Sequence, residues 1–353
     1  MKNRVCIISC YMGELPDYFK AFLLSCKYNS GYDWLIITDD DPSVELPGNV
    51  RIKKMQLSDL ERLIKEKIGS WAVLPSAYKL CDYKVAYGLL FEDDLIGYTH
   101  WGYGDIDVVY GELSRYITDE MLDKYDKVFP LGHLSIMKNN DRCKRAFMIE
   151  AESTSSYKSV YSSANSFYFD ENKGINEKMA AAGMKVYLRI DFIDISSMYT
   201  RLRTVTADEV KILLPGCALS EQTYPQNYKR QIYVWDNGRL LRYIYDGDMK
   251  CDEYAYMHFR RRLKIDIDEN CKRFIIGKSV IAADDSIITR SDIDKYNSGA
   301  VYDKKDYIVF MAKRYTPRIK YAVKAGICEF LYHIKPIRYV VRKMKGNHME
   351  DAK

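Results

Sequence analysis

The chain has 353 residues, 47% of them hydrophobic and 29% charged, which is the composition of a folded globular protein and not of a disordered one. Its nine cysteines are scattered without a Cys-x-x-Cys pair, which disfavours a zinc site or a disulfide framework and favours reduced thiols in a cytoplasm. No stretch reaches the about 18–20 apolar residues of a membrane span, so we expect the protein to stay inside the cell. The short apolar run at 5–10 predicts a buried strand, and not a signal peptide.

The net charge of +5 is distributed unevenly along the chain. Between residues 313 and 345 there are ten lysines and arginines and one acidic residue, Glu329, which leaves the rest of the chain at about −4. Aromatic and aliphatic residues alternate with these basic residues, a pattern typical of a helix that lies on an anionic membrane surface. The alternative is a basic helical region that packs on the acidic body. No recognised motif indicates nucleic-acid binding.

The first half of the chain alternates strand-like and helix-like patterns. Strands are predicted at 5–10, 34–38 and 50–55, helices at 18–28, 57–68 and 79–90, and a further strand-like run at 98–109. Strands separated by helices of this length imply crossover connections and hence a mainly parallel sheet. We therefore predict an α/β fold with a mixed, mainly parallel sheet flanked by helices.

The second half is less regular. It predicts a helix at 176–182, a strand at 185–190, a hairpin over 231–245 with its turn at Asp236-Asn237-Gly238-Arg239, and an aromatic strand at 253–259. We expect two regions, a catalytic domain at 1–284 and a basic, partly helical C-terminal region at 285–353.

Polar side chains occur near the ends of three predicted parallel strands: Ser9 and Tyr11, then Asp39, then Asp105 and Asp107. Ligands of such sheets bind beyond the carboxyl ends of the strands, so these groups are expected to meet at one edge. The chain has no glycine-rich phosphate loop. The phosphates of a bound nucleotide would therefore have to be neutralised by a metal ion and by side chains.

Asp105-Ile106-Asp107 is the strongest candidate for that metal site. Residues two apart on an extended strand point to the same side, and carboxylate oxygens suit Mg²⁺ or Mn²⁺. The alternative is a solvated turn. Glycines at 102, 104 and 111 are expected to let the backbone approach a ligand closely.

His258 is a candidate third metal ligand, because it ends the predicted aromatic strand and precedes Arg260-Arg261-Arg262. Those arginines could neutralise a diphosphate or could form a solvated face, and His258 itself could be a structural, hydrogen-bonded residue. Lys79 and Asp82 lie three apart on one helical face. They could form an ordinary surface ion pair, or could contact a donor phosphate and a sugar hydroxyl.

Four carboxylates are candidates for catalysis or acceptor binding: Asp170, Glu171, Asp191 and Asp194. A sugar hydroxyl is a poor nucleophile, so an inverting transfer needs a carboxylate base within hydrogen-bond reach. Helix capping is the alternative explanation for Asp170 and Glu171. We take Asp170, Glu171 and Asp191 as the catalytic candidates, with His133 as a group that could orient the acceptor or a phosphate.

Together these motifs resemble a family of bacterial glycosyltransferases found in capsule and O-antigen clusters. The resemblance covers about residues 1–270. It rests on five segments, which are 78–84, 101–107, 132–134, the Asp170-Glu171 pair before Gly174-Ile175, and 256–259 with the arginines that follow. It implies a GT-A fold, with Mn²⁺ (or Mg²⁺) and the donor diphosphate on Asp105 and Asp107 and with His258 completing the metal site.

The resemblance further implies that Asp39 and the loop after Cys10 hold the nucleoside, uridine, and that Lys79 and Asp82 touch the donor. It predicts a metal-dependent transferase that moves a hexosyl unit, pyranose or furanose of the galactose type, from a UDP-sugar to a lipid-linked or oligosaccharide acceptor. The protein would then be cytoplasmic and peripheral at the inner face of the membrane. A sugar nucleotidyltransferase and a non-catalytic membrane-associated scaffold are the alternatives.

Overall fold

The computed structural model describes residues 2–197, 201–214, 216–221, 224–260 and 262–297. The described residues up to Ser196 and from Leu202 to 297 form one compact unit. The basic region at 313–345 and Arg261 lie outside the described residues. In the described part of the chain, no helix is both long and apolar enough to cross a lipid bilayer.

Sixteen strands and ten α-helices have the following bounds. The strands are β1 Val5–Cys10, β2 Tyr32–Thr38, β3 Val50–Lys54, β4 His100–Gly104, β5 Val108–Tyr110, β6 Lys127–Val128, β7 Leu134–Lys138, β8 Val186–Tyr187, β9 Ile193–Asp194, β10 Gln231–Asp236, β11 Arg239–Asp246, β12 Asp248–Tyr254, β13 Tyr256–His258, β14 Lys264–Asp266, β15 Arg273–Ile276 and β16 Val280–Ala283, all within the described residues. The helices of that same part are α1 Phe19–Lys27, α2 Leu57–Lys67, α3 Leu80–Tyr83, α4 Tyr87–Leu90, α5 Asp119–Lys124, α6 Asp141–Lys144, α7 Tyr157–Tyr161, α8 Ile175–Ala181, α9 Ala207–Leu213 and α10 Arg290–Tyr296.

The main sheet has seven strands in the order β3-β2-β1-β4-β7-β6-β8. The neighbours from β3 to β4 are parallel, β7 is antiparallel to both β4 and β6, and β8 is parallel to β6. Along β1, Val5 and Ile7 pack into the core on the α1 side, whereas Cys6 and Ile8 pack into the core on the α2 side. Both faces of the sheet are thus buried, as parallel strands require. The predicted class, a mixed and mainly parallel α/β sheet flanked by helices, is confirmed.

The strand-like run at 98–109 is not one strand. β4 pairs with β1 and β7 in the main sheet, whereas β5 pairs with β13 in a separate three-stranded sheet of order β5-β13-β9. The chain crosses from one sheet to the other at Asp105-Ile106-Asp107. The two carboxylates therefore lie in the crossing segment, and not on one extended strand as predicted.

The predicted helix at 79–90 is also broken, into α3 and α4 with 3₁₀ turns at Ala77–Lys79 and Lys84–Ala86. Residues 85–91 are buried on every side, so this segment has no solvent-facing stripe to maintain a single amphipathic helix. The strand predicted at 185–190 is reduced to β8, which has two residues.

A second sheet of six strands has the order β12-β11-β10-β15-β16-β14. The predicted hairpin forms its centre, since β10 and β11 pair in antiparallel register around Asn237 (φ 48°) and Gly238 (φ 86°), the left-handed pair of a tight hairpin turn. Ile293 of α10 packs on this sheet against residues such as Val234. The domain boundary at 284/285 stays a prediction.

Candidate metal-binding site

The ends of β1, β2 and β4 meet at one edge of the main sheet because these strands are parallel neighbours. The loop after β1 is held to the end of β2: the Gly13 N–H donates to Asp39 Oδ1 over 2.7 Å. Burial raises the pKa of Tyr18, and the nearby negative charges of Asp107 and Asp105 and the hydroxyl of Tyr11 raise it further. The polar clusters at these strand ends are therefore close together. Ser9 is buried, and the loop that follows β1, which contains Tyr11, lines this edge.

Asp105, Asp107 and His258 form the centre of the site, with one potential ligand atom from each lying within 4.8 Å of the others. His258 Nε2 is 3.3 Å from Asp107 Oδ1. Two backbone contacts fix the crossing segment, because the Asp105 N–H donates to His133 O (3.2 Å) and the Phe259 N–H donates to Asp107 O (3.1 Å). The side chains of Asp105 and Asp107 are 32% and 25% exposed, so an ion could reach both.

The other face of His258 is held by Asp194. The register of β9 and β13 places these two residues side by side, and His258 Nδ1 is 3.0 Å from Asp194 Oδ1. Arg260, whose φ of 51° is unusual for a non-glycine residue, donates from its terminal guanidinium nitrogen to Asp194 Oδ2 over 2.6 Å. Burial would raise the pKa of Asp194, but the Arg260 guanidinium and the charged, hydrogen-bonded His258 outweigh it and hold the pKa well below its usual range. Asp194 is thus a buried anion that orients His258.

Lys84 supplies the positive charge on the opposite side of the site. Its Nζ is 2.6 Å from Asp105 Oδ1 and 3.6 Å from Asp170 Oδ2, and it donates to Gly132 O over 3.1 Å. Burial disfavours the charged amine, yet Asp105 and Asp170 more than compensate and raise the pKa of Lys84. Lys84 is therefore a fixed cation between two carboxylates.

The donor set fits a divalent ion that accepts both oxygen and nitrogen ligands, such as Mn²⁺. Burial lowers the pKa of His258, but the ion pairs with Asp107 and Asp194 outweigh burial and raise it to about 9. Metal binding would release this proton, as is usual for imidazole ligands. The Asp194 carboxylate on Nδ1 is the arrangement that commonly supports a metal-bound histidine.

His133 is brought to this site but is fully enclosed. Its ring lies 4.5 Å from that of His258, and its Nε2 is 3.9 Å from Asp194 Oδ2. Burial, reinforced by His258, holds the pKa of His133 well below its usual value, so the ring is neutral. At 1% exposure His133 packs against His258, and a role of His133 in orienting an acceptor or a phosphate stays a prediction.

Asp170 and Glu171 approach the site from the turn that precedes α8. Glu171 Oε1 accepts the Gly132 N–H over 2.9 Å, and a Cβ on Gly132 would lie 1.8 Å from Asp170 Oδ2. Burial raises the pKa of Asp170 to about 8, against the opposing effect of Lys84. Neither carboxylate caps the backbone of α8; its first turn is instead closed by Glu177, which accepts from the Gly174 N–H.

Asp191 is not part of this cluster. Its carboxylate accepts from Tyr187 Oη (2.6 Å) and pairs with Arg189 Nε (2.8 Å). These partners differ from those of Asp194, which contacts His258 and Arg260, and a catalytic role for Asp191 stays a prediction.

Lys79 and Asp82 form a buried ion pair and not a surface one, and their contact with a donor stays a prediction. Both side chains are 0% exposed and are joined by a bond of 2.7 Å from Lys79 Nζ to Asp82 Oδ2. Lys79 also donates to Val160 O and Asn165 O, and Asp82 accepts from two backbone amides of the 167–169 segment. The pair is a buried brace between α3 and that segment.

The glycines near the crossing segment approach protein backbone, and close approach of a ligand to them stays a prediction. A Cβ on Gly102 would lie 2.7 Å from Ser135 O, and one on Gly111 would lie 2.5 Å from Tyr254 O. For Gly104 the nearest atom is His133 O at 3.2 Å. Their small size therefore serves close strand packing around the site.

Lys84 was not selected from the sequence as a site residue, and Asp194 was named among the candidate carboxylates but not taken as a catalytic candidate. Lys84 lies in the same sequence run as Lys79, and no periodicity distinguishes the lysine that faces the site from the one that is buried. Asp194 was considered together with Asp191. Asp194 could have been preferred to Asp191 only if the pairing of β9 with β13, which places Asp194 beside His258, had been known.

The fold and site define a class: an α/β protein with an Asp-Asp-His cluster at the carboxyl edge of its main sheet. A family model described as a "Family of unknown function (DUF6625)" matches residues 7–285, and the chain belongs to this family. A search among curated proteins finds no match.

Among solved structures, the chain is similar to the galactosyltransferase LgtC in complex with donor and acceptor sugar analogs. That similarity has 9% identity and a TM-score of 0.37, and it covers 72% of this chain and 87% of the other. The bifunctional glycosyltransferase WbbM (11%, TM-score 0.36) is matched over 67% of this chain and 48% of its own. The similarity to the glycosyltransferase GlyE of Streptococcus pneumoniae TIGR4 (12% identity, TM-score 0.24) covers 40% of this chain and 35% of GlyE. These similarities, all with TM-scores below 0.5, do not by themselves establish an activity.

Proposed function

We propose that the protein is a metal-dependent glycosyltransferase with a GT-A-like catalytic region. It would transfer a hexosyl unit of the galactose type, pyranose or furanose, from a UDP-sugar to a lipid-linked or oligosaccharide acceptor of a bacterial surface glycan. The observation that carries the proposal is the meeting of Asp105, Asp107 and His258 at the strand ends where nucleotides bind. Segments that carry the sequence resemblance, 78–84, 101–107, 132–134, 170–171 and 256–259, supply residues to this one region.

In this proposal Asp105, Asp107 and His258 hold Mn²⁺ or Mg²⁺. The ion supplies Lewis-acid stabilisation of the negative charge on a departing diphosphate. Lys84 and Arg260 add fixed positive charge on either side of the cluster, in a partly buried setting where such charge acts strongly. Asp39 and Tyr11 belong to the loops that would receive the nucleoside.

The acceptor hydroxyl needs a base if the reaction inverts, and Asp170 and Glu171 are the two carboxylates available beside Lys84. A base with a pKa near the working pH is the most effective. If Asp170 is the base, turnover should rise as the pH increases through about 8, since only the deprotonated carboxylate accepts a proton.

The proposal is tested by incubating the full chain with a panel of UDP- and GDP-sugars, with and without Mn²⁺. We expect UDP release from one UDP-hexose, dependent on Mn²⁺ and abolished by a chelator. Absence of UDP release with every donor, together with absence of Mn²⁺-dependent UDP binding, would contradict the assignment.

In the same assay, Asp170→Asn and Glu171→Gln distinguish the base. The variant that lacks the base should lose about 10²–10⁴-fold in transfer, while its UDP binding is unchanged. Near-normal transfer by both variants would exclude a carboxylate base at this turn.

A sugar nucleotidyltransferase could use similar metal chemistry, but it would release no UDP from these donors and would instead form a UDP-sugar when UTP and a sugar phosphate are supplied. A non-catalytic scaffold would show no Mn²⁺-dependent UDP binding at all. The peripheral location at an anionic inner membrane remains a proposal that rests on the basic sequence at 313–345.

A further inference from the structure

One aromatic side chain close to the site is unusually exposed. Tyr78 has 64% of its surface exposed, the largest fraction among the large aromatic side chains in the described residues. Its hydroxyl lies 3.2 Å from the hydroxyl of Tyr168, which is half-buried. The two tyrosines therefore form a pair at the surface, joined through their polar ends.

The pair is held in place by the buried brace described above. Tyr78 directly precedes Lys79, whose ammonium is bonded to Asp82. The Asp82 carboxylate accepts the N–H groups of Phe167 and Phe169, the residues on either side of Tyr168, each over 3.0 Å. A fully buried ion pair thus fixes the backbone of both tyrosines. Burying two charges has a desolvation cost, so this ion pair indicates that the position of the tyrosines matters.

The pair is also continuous with the carboxylates of the site. The Tyr168 carbonyl accepts the N–H groups of Glu171 (2.9 Å) and Asn172 (2.7 Å), so Tyr168 opens the turn that carries Asp170. Tyr168 itself has a φ of 55°, a strained left-handed conformation for an aromatic residue. Asp170 then reaches Lys84, which in turn contacts Asp105.

We propose that Tyr78 and Tyr168 form a platform for a sugar ring of the acceptor glycan, a subsite that rests on the glycosyltransferase function proposed above. A tyrosine ring offers a flat apolar surface to the C–H face of a sugar, while its hydroxyl can bond to the sugar's hydroxyl groups. The turn that Tyr168 opens carries Asp170, which contacts Lys84, and Lys84 contacts Asp105. A sugar on the platform would therefore be linked through this turn to the proposed donor site.

The test is direct binding of simple sugars, so it does not depend on turnover. Methyl β-galactopyranoside and methyl β-glucopyranoside are titrated into the full chain, and saturation-transfer NMR reports the binding of each sugar. The titration is repeated with MnCl₂ and UDP present. The variants are Tyr78→Ala and Tyr78→Phe, with Tyr28→Ala as the control, because Tyr28 is a 39% exposed tyrosine that contacts Trp235 away from this pair. Thermal melting confirms that each variant is folded.

We expect at least one glycoside to bind to the wild type and to Tyr28→Ala, with UDP present or absent. Loss of the ring in Tyr78→Ala should weaken binding about tenfold, whereas Tyr78→Phe, which keeps the ring, should stay within about threefold. The inference is overturned by absence of binding to the wild type, by equal affinity in Tyr78→Ala, or by displacement of the sugar by UDP. Metal-dependent UDP binding, measured on the same samples, reports separately on the proposed function.

Discussion

Asp107→Asn should abolish Mn²⁺-dependent binding of UDP, with metal affinity reduced by more than about 100-fold. The substitution keeps the shape of the side chain but removes the charge that faces His258 Nε2 at 3.3 Å. Loss of a metal-supporting group outside the ligand shell already costs about 10–100-fold, so loss of a ligand should exceed this range. Calorimetric titration of MnCl₂, and then of UDP in the presence of MnCl₂, measures both quantities.

Asp41→Asn is the matched control, because Asp41 follows the end of β2 but has an 89% exposed side chain paired only loosely with Lys54. It should bind metal as the wild type does. Asp194→Asn should have a metal affinity between those of the wild type and Asp107→Asn. It leaves all three ligands in place and removes only the negative charge that orients His258. Equal metal affinity in the wild type, Asp107→Asn and Asp194→Asn would refute the site.

Lys79→Met should destabilise the fold by about 3–5 kcal/mol, because it leaves the Asp82 carboxylate buried without its cation. It also removes the donor for the carbonyls of Val160 and Asn165, at 2.8 and 2.6 Å. Urea denaturation measures the free energy of unfolding.

The control is Lys65→Met, which removes an exposed helical pair with Glu61 and should cost only about 0.3–0.5 kcal/mol. The two interpretations of Lys79 make opposite predictions here. If Lys79 contacts the donor, Lys79→Met should have wild-type stability and weakened UDP binding. That result would identify Lys79 as a ligand-binding residue.

Several parts of the fold followed from local patterns. The strand at 5–10, the helix at 57–68 and the Asn237-Gly238 hairpin were predictable because each rests on hydrophobic periodicity or on turn chemistry within a few residues. The break in the predicted helix at 79–90 was not predictable, because a segment that is buried on all sides shows no hydrophobic periodicity in its sequence. The main-sheet edge was predictable because parallel strands place their carboxyl ends together.

The candidate site was predictable only in part. Asp105, Asp107 and His258 were selected from the sequence as ligands, and they do meet. Asp191 and Asp194 could not be distinguished, because the register of a two-residue strand against β13 decides which carboxylate faces His258. Register is a pairing property that neither strand carries alone.

The sequence by itself determined the α/β class, the edge at which polar groups gather and the residue types able to hold a metal ion. The tertiary structure decided which of two lysines, 79 or 84, faces that edge and which is buried as a brace. It also placed Asp105-Ile106-Asp107 where the chain crosses between two sheets. The physical reason is that a charged group's role depends on its burial and its partners, and these come from segments about 20 to 150 residues away in the chain.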